Sequence, residues 1–452
     1  MAGQSRLFGT DGVRGRAGEG DLEYGRVSAL GRAIASMLDG PDAAVLVAHD
    51  GRRSGPDLAH ALSRGLASHG VRCDSAGLLT TPGLAIATRT GNYAAGLMVS
   101  ASHNPAEDNG IKIFNAQGAK LADEVEDRIQ AALEADPAPQ HEGPAPTQRQ
   151  ELAEEYLARL VESARTLDLR GRRVVIDCAN GAGSQVGPEL LRRLGAEVIA
   201  LFDAPDGSNI NAGCGSTAPE ALMAAVRDHR AHFGLALDGD GDRCLLVDES
   251  GELVDGDALM ALLALDLQSV GRLPGSRIVA TVMSNVGLKR ALAPAEVGIE
   301  TVGVGDRRVV EGLREHDLGL GGEQSGHIVF GPSSSPSDLW HFVGDGLYTG
   351  LRVLEAMQRS GRPLSELKAV FRAFPQLLIN VRVSSKPPFD ELPEVQSAVA
   401  AAEAELGDGG RVLLRYSGTE SLARVMVEGE DSAQIERLAE SIATRLRDRI
   451  GA

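Results

Sequence analysis

Short apolar, β-prone runs alternate along most of this chain with segments of helical pattern. Ala44-Val-Leu-Val47, Arg173-Val-Val-Ile176, Arg277-Ile-Val-Ala280 and Val329-Phe330 are runs of the first kind. Tyr93-Ala-Ala-Gly-Leu-Met-Val99 reads as a further buried strand, and Phe233-Gly-Leu-Ala-Leu237 and Cys244-Leu-Leu-Val247 as another two. Helix starts are marked as well. Thr217-Ala-Pro-Glu220 reads as a capping box before Ala221–Val226, and Thr81-Pro82 places proline at a first helical position. The most hydrophobic helix, Ala258–Leu265, is expected to stop at Asp266. Strand–helix alternation of this kind predicts α/β domains with mainly parallel sheets.

The last segment differs. It predicts strands at Leu377–Val383, Arg411–Leu414 and Arg424–Val427, then a helix from Asp431 to about Arg449. Ile435, Leu438, Ile442 and Leu446 give that helix one apolar face. This is a smaller α+β domain. Asp136–Pro146, with four prolines and no periodicity, reads as an exposed loop or linker. Boundaries near Arg170-Gly171, Gly256-Asp257 and Phe374-Pro375 divide the chain into domains 1–170, 171–256, 257–374 and 375–452.

Composition narrows the picture. At 452 residues the chain exceeds one core, and 43% hydrophobic content predicts packed structure rather than disorder. Aromatics are only 3%, so the cores must be aliphatic. A net charge of −18 argues against nucleic acid and anionic membranes as partners. It also demands that any phosphate site concentrate arginine locally, because the Debye length is only ~8 Å at physiological salt. Arg14, Arg243, Arg415 and Arg424 are the candidates. Four scattered cysteines with no C-x-x-C pair predict free thiols, and Met1–Arg6 lacks an apolar leader. A cytoplasmic protein is the expectation.

Four segments carry candidate chemistry. Val99-Ser-Ala-Ser-His-Asn-Pro105 puts the hydroxyl of Ser102 on a turn at a strand end, with Lys112 ten residues on. A serine so placed can carry a phosphoryl group. Leu237-Asp-Gly-Asp-Gly-Asp-Arg243 sets Asp238, Asp240 and Asp242 on alternate positions. Two carboxylates ~4 Å apart repel by about 1 kcal/mol in water and about 4 at an effective dielectric near 20, so three converging ones need a cation. Hard oxygen ligands favour Mg²⁺ or Ca²⁺. An EF-hand fails here, because Arg243 stands where its sixth-position glycine must be and the flanks are strands. Arg415-Tyr-Ser-Gly-Thr-Glu420, with Arg424 beyond, offers Ser417, Gly418 and Thr419 as a phosphate cradle and two guanidinium groups to close it. Gly321-Gly-Glu-Gln-Ser-Gly-His327 packs a carboxylate, an amide, a hydroxyl and an imidazole into five residues, a density suited to polyol recognition.

In order, these segments resemble the phosphoserine, metal, phosphate and sugar loops of the α-D-phosphohexomutases, with the sugar loop third along the chain. Phe8-Gly-Thr-Asp-Gly-Val-Arg-Gly15 and Asp206–Thr217 are similar, more narrowly, to the amino-sugar branch of that family. The resemblance spans about residues 6 to 450. It departs at Tyr416 and Ser421 in the phosphate loop and at Gly331–Asp338. It implies three similar α/β domains and a fourth of another type around a central cleft. It implies Mg²⁺ on Asp238, Asp240, Asp242 and the Ser102 phosphoryl group, with phosphoserine at Ser102. Arg243 would stabilise the transferring group, and Lys112, His327 and Arg14 would serve as acid or base. Glu323 and Ser325 would hold the sugar, and Arg415, Ser417, Gly418, Thr419 and Arg424 the distal phosphate. The implied reaction interconverts glucosamine 6-phosphate and glucosamine 1-phosphate through a hexosamine 1,6-bisphosphate, feeding amino-sugar nucleotide and cell-wall precursor synthesis. The rival within the family acts on mannose and glucose phosphates. The implied partners are small sugar phosphates.

Overall fold

The computed structural model describes residues 6–9, 11–38, 43–135, 143–332, 343–417 and 421–452. The chain forms two compact bodies, Met1–Thr281 with Val297–Val370, and Val282–Glu296 with Phe371–Ala452.

The first body holds three sheets. Strands β1 (Val13–Arg16), β2 (Ala44–His49), β3 (Arg72–Leu78), β4 (Ala95–Val99), β5 (Asp108–Asn115) and β6 (Thr147–Gln148) form one, in the order β1-β5-β4-β2-β3-β6. Strands β7 (Arg173–Asp177), β8 (Glu197–Leu201), β9 (Phe233–Leu237), β10 (Cys244–Asp248) and β11 (Leu253–Val254) form the next, in the order β11-β10-β9-β7-β8. Strands β12 (Arg277–Thr281), β13 (Gly298–Val302), β14 (Leu320–Gly322) and β15 (Ile328–Phe330) form the third, in the order β13-β12-β14-β15.

One plan recurs in all three. A central strand, β2, β7 or β12, has a parallel neighbour on each side. One of those neighbours, β4, β9 or β14, turns back through a tight loop into an antiparallel strand. The three sheets are thus mixed, parallel through the centre and one edge and antiparallel at the other edge. The parallel strands are apolar on both faces because helices cover both. Val45, Leu46 and Val47 of β2 are fully buried, as are Val174, Val175 and Ile176 of β7.

Two expectations fail locally. Helix Glu220–Asp228 begins at Glu220 behind Pro219, with no side-chain cap, while Thr217 ends a separate short turn. Glu220 is therefore the first helical residue, not the third that a capping box requires. The helix over Ala258 does not stop at Asp266 but runs Gly256–Ser269. Asp266 faces Arg359, at 2.7 and 3.0 Å, and the chain leaves the helix at Gly271, whose φ is +69°.

In the second body, β16 (Gln376–Arg382), β17 (Arg411–Tyr416) and β18 (Leu422–Glu428) pair antiparallel in the order β16-β18-β17. Helix Ser432–Ile450 lies on them, capped by Asp431, with Ile435, Leu438, Ile442 and Leu446 buried against the sheet. Helix Val286–Leu292 belongs to this body. Among the described residues no helix is long and apolar enough to cross a membrane.

Candidate active site

The three return loops of the first body are the serine, acidic and Glu-Gln-Ser-Gly-His segments. Each joins the equivalent pair of strands: β4 to β5, β9 to β10, β14 to β15. Backbone hydrogen bonds tie these loops to one another and to their surroundings. The Thr81 N–H donates to Asp240 O at 2.9 Å, and the Cys244 N–H to Gly326 O at 3.0 Å.

Ser102 is buried and has φ +52°, a left-handed backbone that costs an L residue of order 1–3 kcal/mol. Its N–H donates to Ser100 Oγ at 2.8 Å, and Ser100 Oγ in turn donates to Asp50 Oδ2 at 2.6 Å. Its own Oγ donates to Asp238 Oδ2 at 2.6 Å, across 136 residues of sequence. The close approach needs Gly239, where a Cβ would fall 2.6 Å from the Ser102 carbonyl oxygen. Gly241, at φ +71°, completes the turn.

Ligand atoms of Asp238, Asp240 and Asp242 all lie within 4.8 Å of one another, and all three residues are buried. Burial, then Asp242 and Asp240, push the Asp238 carboxyl well above the usual carboxylate range. Burial also works against ionised Asp242, but Lys112 and His327 hold it well below that range. Asp240 Oδ1 is buried with no hydrogen-bond partner among the described residues. Asp242 Oδ1 is likewise buried without one, and three crowded carboxylates with two orphaned oxygens fit a hard divalent cation.

Cations surround the cluster. Lys112 Nζ lies 2.8 Å from Asp240 Oδ2, 3.1 Å from Asp242 Oδ2 and 3.1 Å from Asp11 Oδ2. Burial disfavours its charge, yet those carboxylates raise it well above the usual lysine value. His327 Nδ1 is 3.7 Å from Asp242 Oδ1, while the Gly344 N–H donates to Nε2 at 3.1 Å. That donor fixes the ring proton on Nδ1, facing Asp242. Burial lowers the affinity of the ring for a second proton, but Asp242, Asp306 and Glu323 outweigh it and raise the value. Arg243 faces Asp238, Asp242 and Glu323, and Arg14 Nη1 reaches Ala101 O and Asn104 Oδ1 at 3.4 Å. His103 Nδ1 is 3.3 Å from Ser102 Oγ. Burial, then Arg243 and Arg14, lower it to about 4, so it is neutral at pH 7. Glu323 Oε1 accepts from the Gly305 N–H at 3.1 Å, and Ser325 Oγ is shielded with no hydrogen-bond partner among the described residues.

The structure thus brings Ser102, Lys112, Arg14, Asp238, Asp240, Asp242, Arg243, Glu323, Ser325 and His327 together in one body. The residues expected to cradle an anion lie in the second. Arg415 and Arg424 sit directly opposite each other on β17 and β18, and burial with the Arg424 charge lowers the Arg415 guanidinium. Like charges so paired are unfavourable unless an anion joins them. Ser417 is buried beside them, and its carbonyl accepts from Lys386 Nζ at 2.6 Å. Gly418 and Thr419 lie outside the described residues, as does most of Gly331–Asp338.

Sequence reasoning missed several groups. Arg52 is fully buried, and its Nε donates to Asp50 Oδ2 at 2.9 Å. Its other nitrogens donate to the carbonyls of Ser102, Asn104, Pro105 and Asp108. Lys120 bridges Asp11 and Asp306, carrying the charge network on to His327, whose Nε2 is 3.6 Å from Asp306 Oδ2. Only the run Asp50-Gly-Arg-Arg-Ser54, polar directly after a buried strand, hinted at the first of these.

A buried serine against a cluster of three carboxylates, on equivalent return loops of like sheets, is the arrangement of a phosphohexomutase, an isomerase that moves a phosphoryl group between two hydroxyls of one hexose. Four phosphoglucomutase/phosphomannomutase family models match in order: alpha/beta/alpha domain I over residues 5–139, domain II over 154–251, domain III over 255–374 and the C-terminal domain over 378–445. The chain belongs to the phosphoglucomutase/phosphomannomutase family. Its similar relatives include the phosphoglucosamine mutase of Symbiobacterium thermophilum, 49% identical over 98% of this chain and 99% of the relative. That of Mycobacterium marinum is 49% identical over 97% of this chain and 98% of the relative. Among solved structures, a phosphoglucomutase/phosphomannomutase family protein from Burkholderia thailandensis shares 26% identity over 99% of this chain and 98% of its own, with a TM-score of 0.78. The Aspergillus fumigatus N-acetylphosphoglucosamine mutase, solved with GlcNAc-6P and magnesium, shares the fold. It is 20% identical over 98% of this chain and 95% of its own, with a TM-score of 0.65.

Proposed function

We propose that this chain interconverts glucosamine 6-phosphate and glucosamine 1-phosphate, with Ser102 as the phosphoryl carrier. The observation that carries this reading is the 2.6 Å contact of Ser102 Oγ with Asp238, inside a triad of buried carboxylates. The name phosphoglucosamine mutase, carried by relatives such as that of Symbiobacterium thermophilum, supports the amino sugar.

In the first half-reaction the Oγ–P bond of phosphorylated Ser102 breaks and a bond forms from phosphorus to one sugar hydroxyl oxygen. The proton of that hydroxyl passes to a neighbouring base, and the product is glucosamine 1,6-bisphosphate. After the sugar turns end for end, the other phosphoryl group returns to Ser102 Oγ. Such transfers depend on positioning and charge neutralisation more than on covalent chemistry. Mg²⁺ held by Asp238, Asp240 and Asp242 would supply positive charge at the phosphoryl oxygens when bound. Arg243 and Arg14 add guanidinium charge on the serine side. Lys112 and His327, each tied to Asp242, and Arg14 would give and take the proton. Glu323 and Ser325 hold the sugar, and Arg415, Ser417, Gly418, Thr419 and Arg424 hold the phosphate that is not reacting. A reducing, cytoplasmic setting accords with the free, buried Cys73, Cys178, Cys214 and Cys244.

The test is parallel turnover of glucosamine, glucose and mannose monophosphates, with phosphopeptide mapping of the enzyme. The highest kcat/KM on glucosamine phosphate, with phosphate on Ser102, is the expected result. Equal or higher efficiency with glucose or mannose phosphate moves the assignment to the rival branch, and phosphate mapped elsewhere removes the mechanism.

A further inference from the structure

The loop between β8 and helix Glu220–Asp228 supplies no group to the acidic cluster or the sugar loop, yet it reaches the serine. Asn211 Nδ2 donates to the carbonyl of Ser102 at 2.8 Å and to that of Asn104 at 3.1 Å. The same two carbonyls accept from Arg52 Nη2, at 3.0 and 2.9 Å. The serine turn is therefore gripped from two sides. Arg52 grips it from within its own sheet domain, standing on Asp50 at the end of β2. Asn211 grips it from the neighbouring domain, whose β9–β10 loop bears Asp238, Asp240 and Asp242.

Asn211 is itself anchored. Its N–H donates to Ala179 O at 2.9 Å, just beyond the end of β7, and its backbone is left-handed at φ +56°. Asn209 braces the same loop: its Oδ1 accepts from the Asp206 N–H, and its Nδ2 donates to Ala204 O, both at 3.0 Å. Gly239, between the first two acidic residues, leaves the room this grip needs. A Cβ there would meet Asn211 Nδ2 at 2.9 Å as well as the Ser102 carbonyl. One amide thus couples the backbone of the serine to the sheet that carries the triad.

We propose that Asn211 is a positioning residue for phosphoryl transfer: it locks the Ser102 carbonyl to the acid-bearing domain, so that Oγ keeps its aim at Asp238 through each cycle of phosphorylation. This rests on the reading of Ser102 as the phosphoryl carrier. An amide suits the task because its NH₂ supplies two donors to two carbonyls two residues apart. Asn211→Ala removes both bonds and leaves a small space. Asn211→Asp keeps the shape and turns a carboxylate, which has no donor, on two carbonyl oxygens.

The experiment compares Asn211→Ala and Asn211→Asp with the wild type by steady-state kinetics, thermal melting, and intact-mass measurement of phosphoserine after exposure to sugar bisphosphate. Expected is a fall in kcat of about tenfold for Asn211→Ala, the effect of losing two neutral hydrogen bonds, and a larger fall for Asn211→Asp. KM for the sugar phosphate should stay unchanged, as it must when only positioning in the transition state is lost. Phosphoserine should form more slowly in both variants. Unchanged kcat in both, whatever the melting temperature, overturns the proposal, and so does a raised KM at constant kcat. Wild-type enzyme that turns over without phosphate on Ser102 fails the underlying reading instead, and that result needs no variant to be seen.

Discussion

Lys112 Nζ stands 2.8 Å from Asp240 Oδ2, so a buried ammonium occupies part of the charge space that a divalent cation would take. Lysine and metal both neutralise the same carboxylates, and each lowers the need for the other. Lys112→Met should therefore act in opposite directions on two observables. Turnover should fall by two or more orders of magnitude, about the range for removing a positioned acid or base. Affinity for Mg²⁺, measured by calorimetry, should rise, because the competing cation is gone. Metal-free Lys112→Met should also melt lower than wild type and gain more from added Mg²⁺. Weaker Mg²⁺ binding in the variant would refute this opposition.

Arg52 and Asp50 form an ion pair with no solvent exposure on either side chain. Arg52 also satisfies four carbonyls of the serine turn, a task that only the planar fork of a guanidinium can perform. Arg52→Met leaves a buried carboxylate and four carbonyls with fewer donors. Urea unfolding should show a loss of about 3–5 kcal/mol, the range for breaking a buried pair from one side. Arg52→Lys should recover only a minor part of it. A Lys variant as stable as wild type would show that charge alone matters at this position.

The contrast between Ser102 and Arg52 shows what could be read from the chain. Ser102, the acidic triad and the sugar loop announce themselves because each puts several reactive groups within a few residues at a strand end. The strands around them were legible for the same local reason: Val45, Val175 and Val279 sit in short apolar runs that only a covered sheet explains. Arg52, Asn211 and Lys120 owe their roles to partners 50, 109 and 186 residues away, which the runs around them in the sequence do not name. The threefold recurrence of one return loop was foreshadowed only by the family resemblance, which implies three similar α/β domains; no sequence repeat marks it. Backbone topology repeats where side chains need not, and the three loops carry different chemistry. Helix ends were misread where one proline or one distant arginine decided the matter, as at Pro219 and Asp266.

Asp177, at the end of β7, receives the N–H groups of Ala179 and Gly215 at 2.9 and 2.8 Å. Burial nevertheless dominates and raises its carboxyl to about 6, against the ordinary aspartate value of 3.8. Between those values the folded protein holds a proton that the unfolded chain has released. Stability therefore falls as pH rises through this window, by about 3 kcal/mol in all. Asp177→Asn is neutral throughout and lacks the dependence. Denaturant unfolding at pH 4.5 and 7.5 should show the wild type losing ground to Asp177→Asn at the higher pH. The opposite trend would mean that the two backbone donors outweigh burial.

In the proposed function, Glu323 is the residue expected to tell an amine from a hydroxyl. Its Oε1 is held by the Gly305 N–H, and its loop is closed by the bond from its own N–H to His327 O, at 3.1 Å each. The carboxylate is thus fixed rather than free to swing, and Ser325 Oγ nearby offers a neutral partner for a sugar hydroxyl. An ammonium at the sugar 2-position gains a charge-assisted bond to such a carboxylate, worth about 1.5–3 kcal/mol, whereas a hydroxyl gains an ordinary one. Glu323→Gln keeps the shape and removes the charge. The ratio of kcat/KM for glucosamine phosphate over glucose phosphate should drop by roughly ten- to a hundredfold, the equivalent of that bond. The drop should come from the glucosamine side, since glucose phosphate has no ammonium to lose. Equal losses on both sugars would assign Glu323 to holding the loop in shape, and the choice of sugar would then rest on other residues.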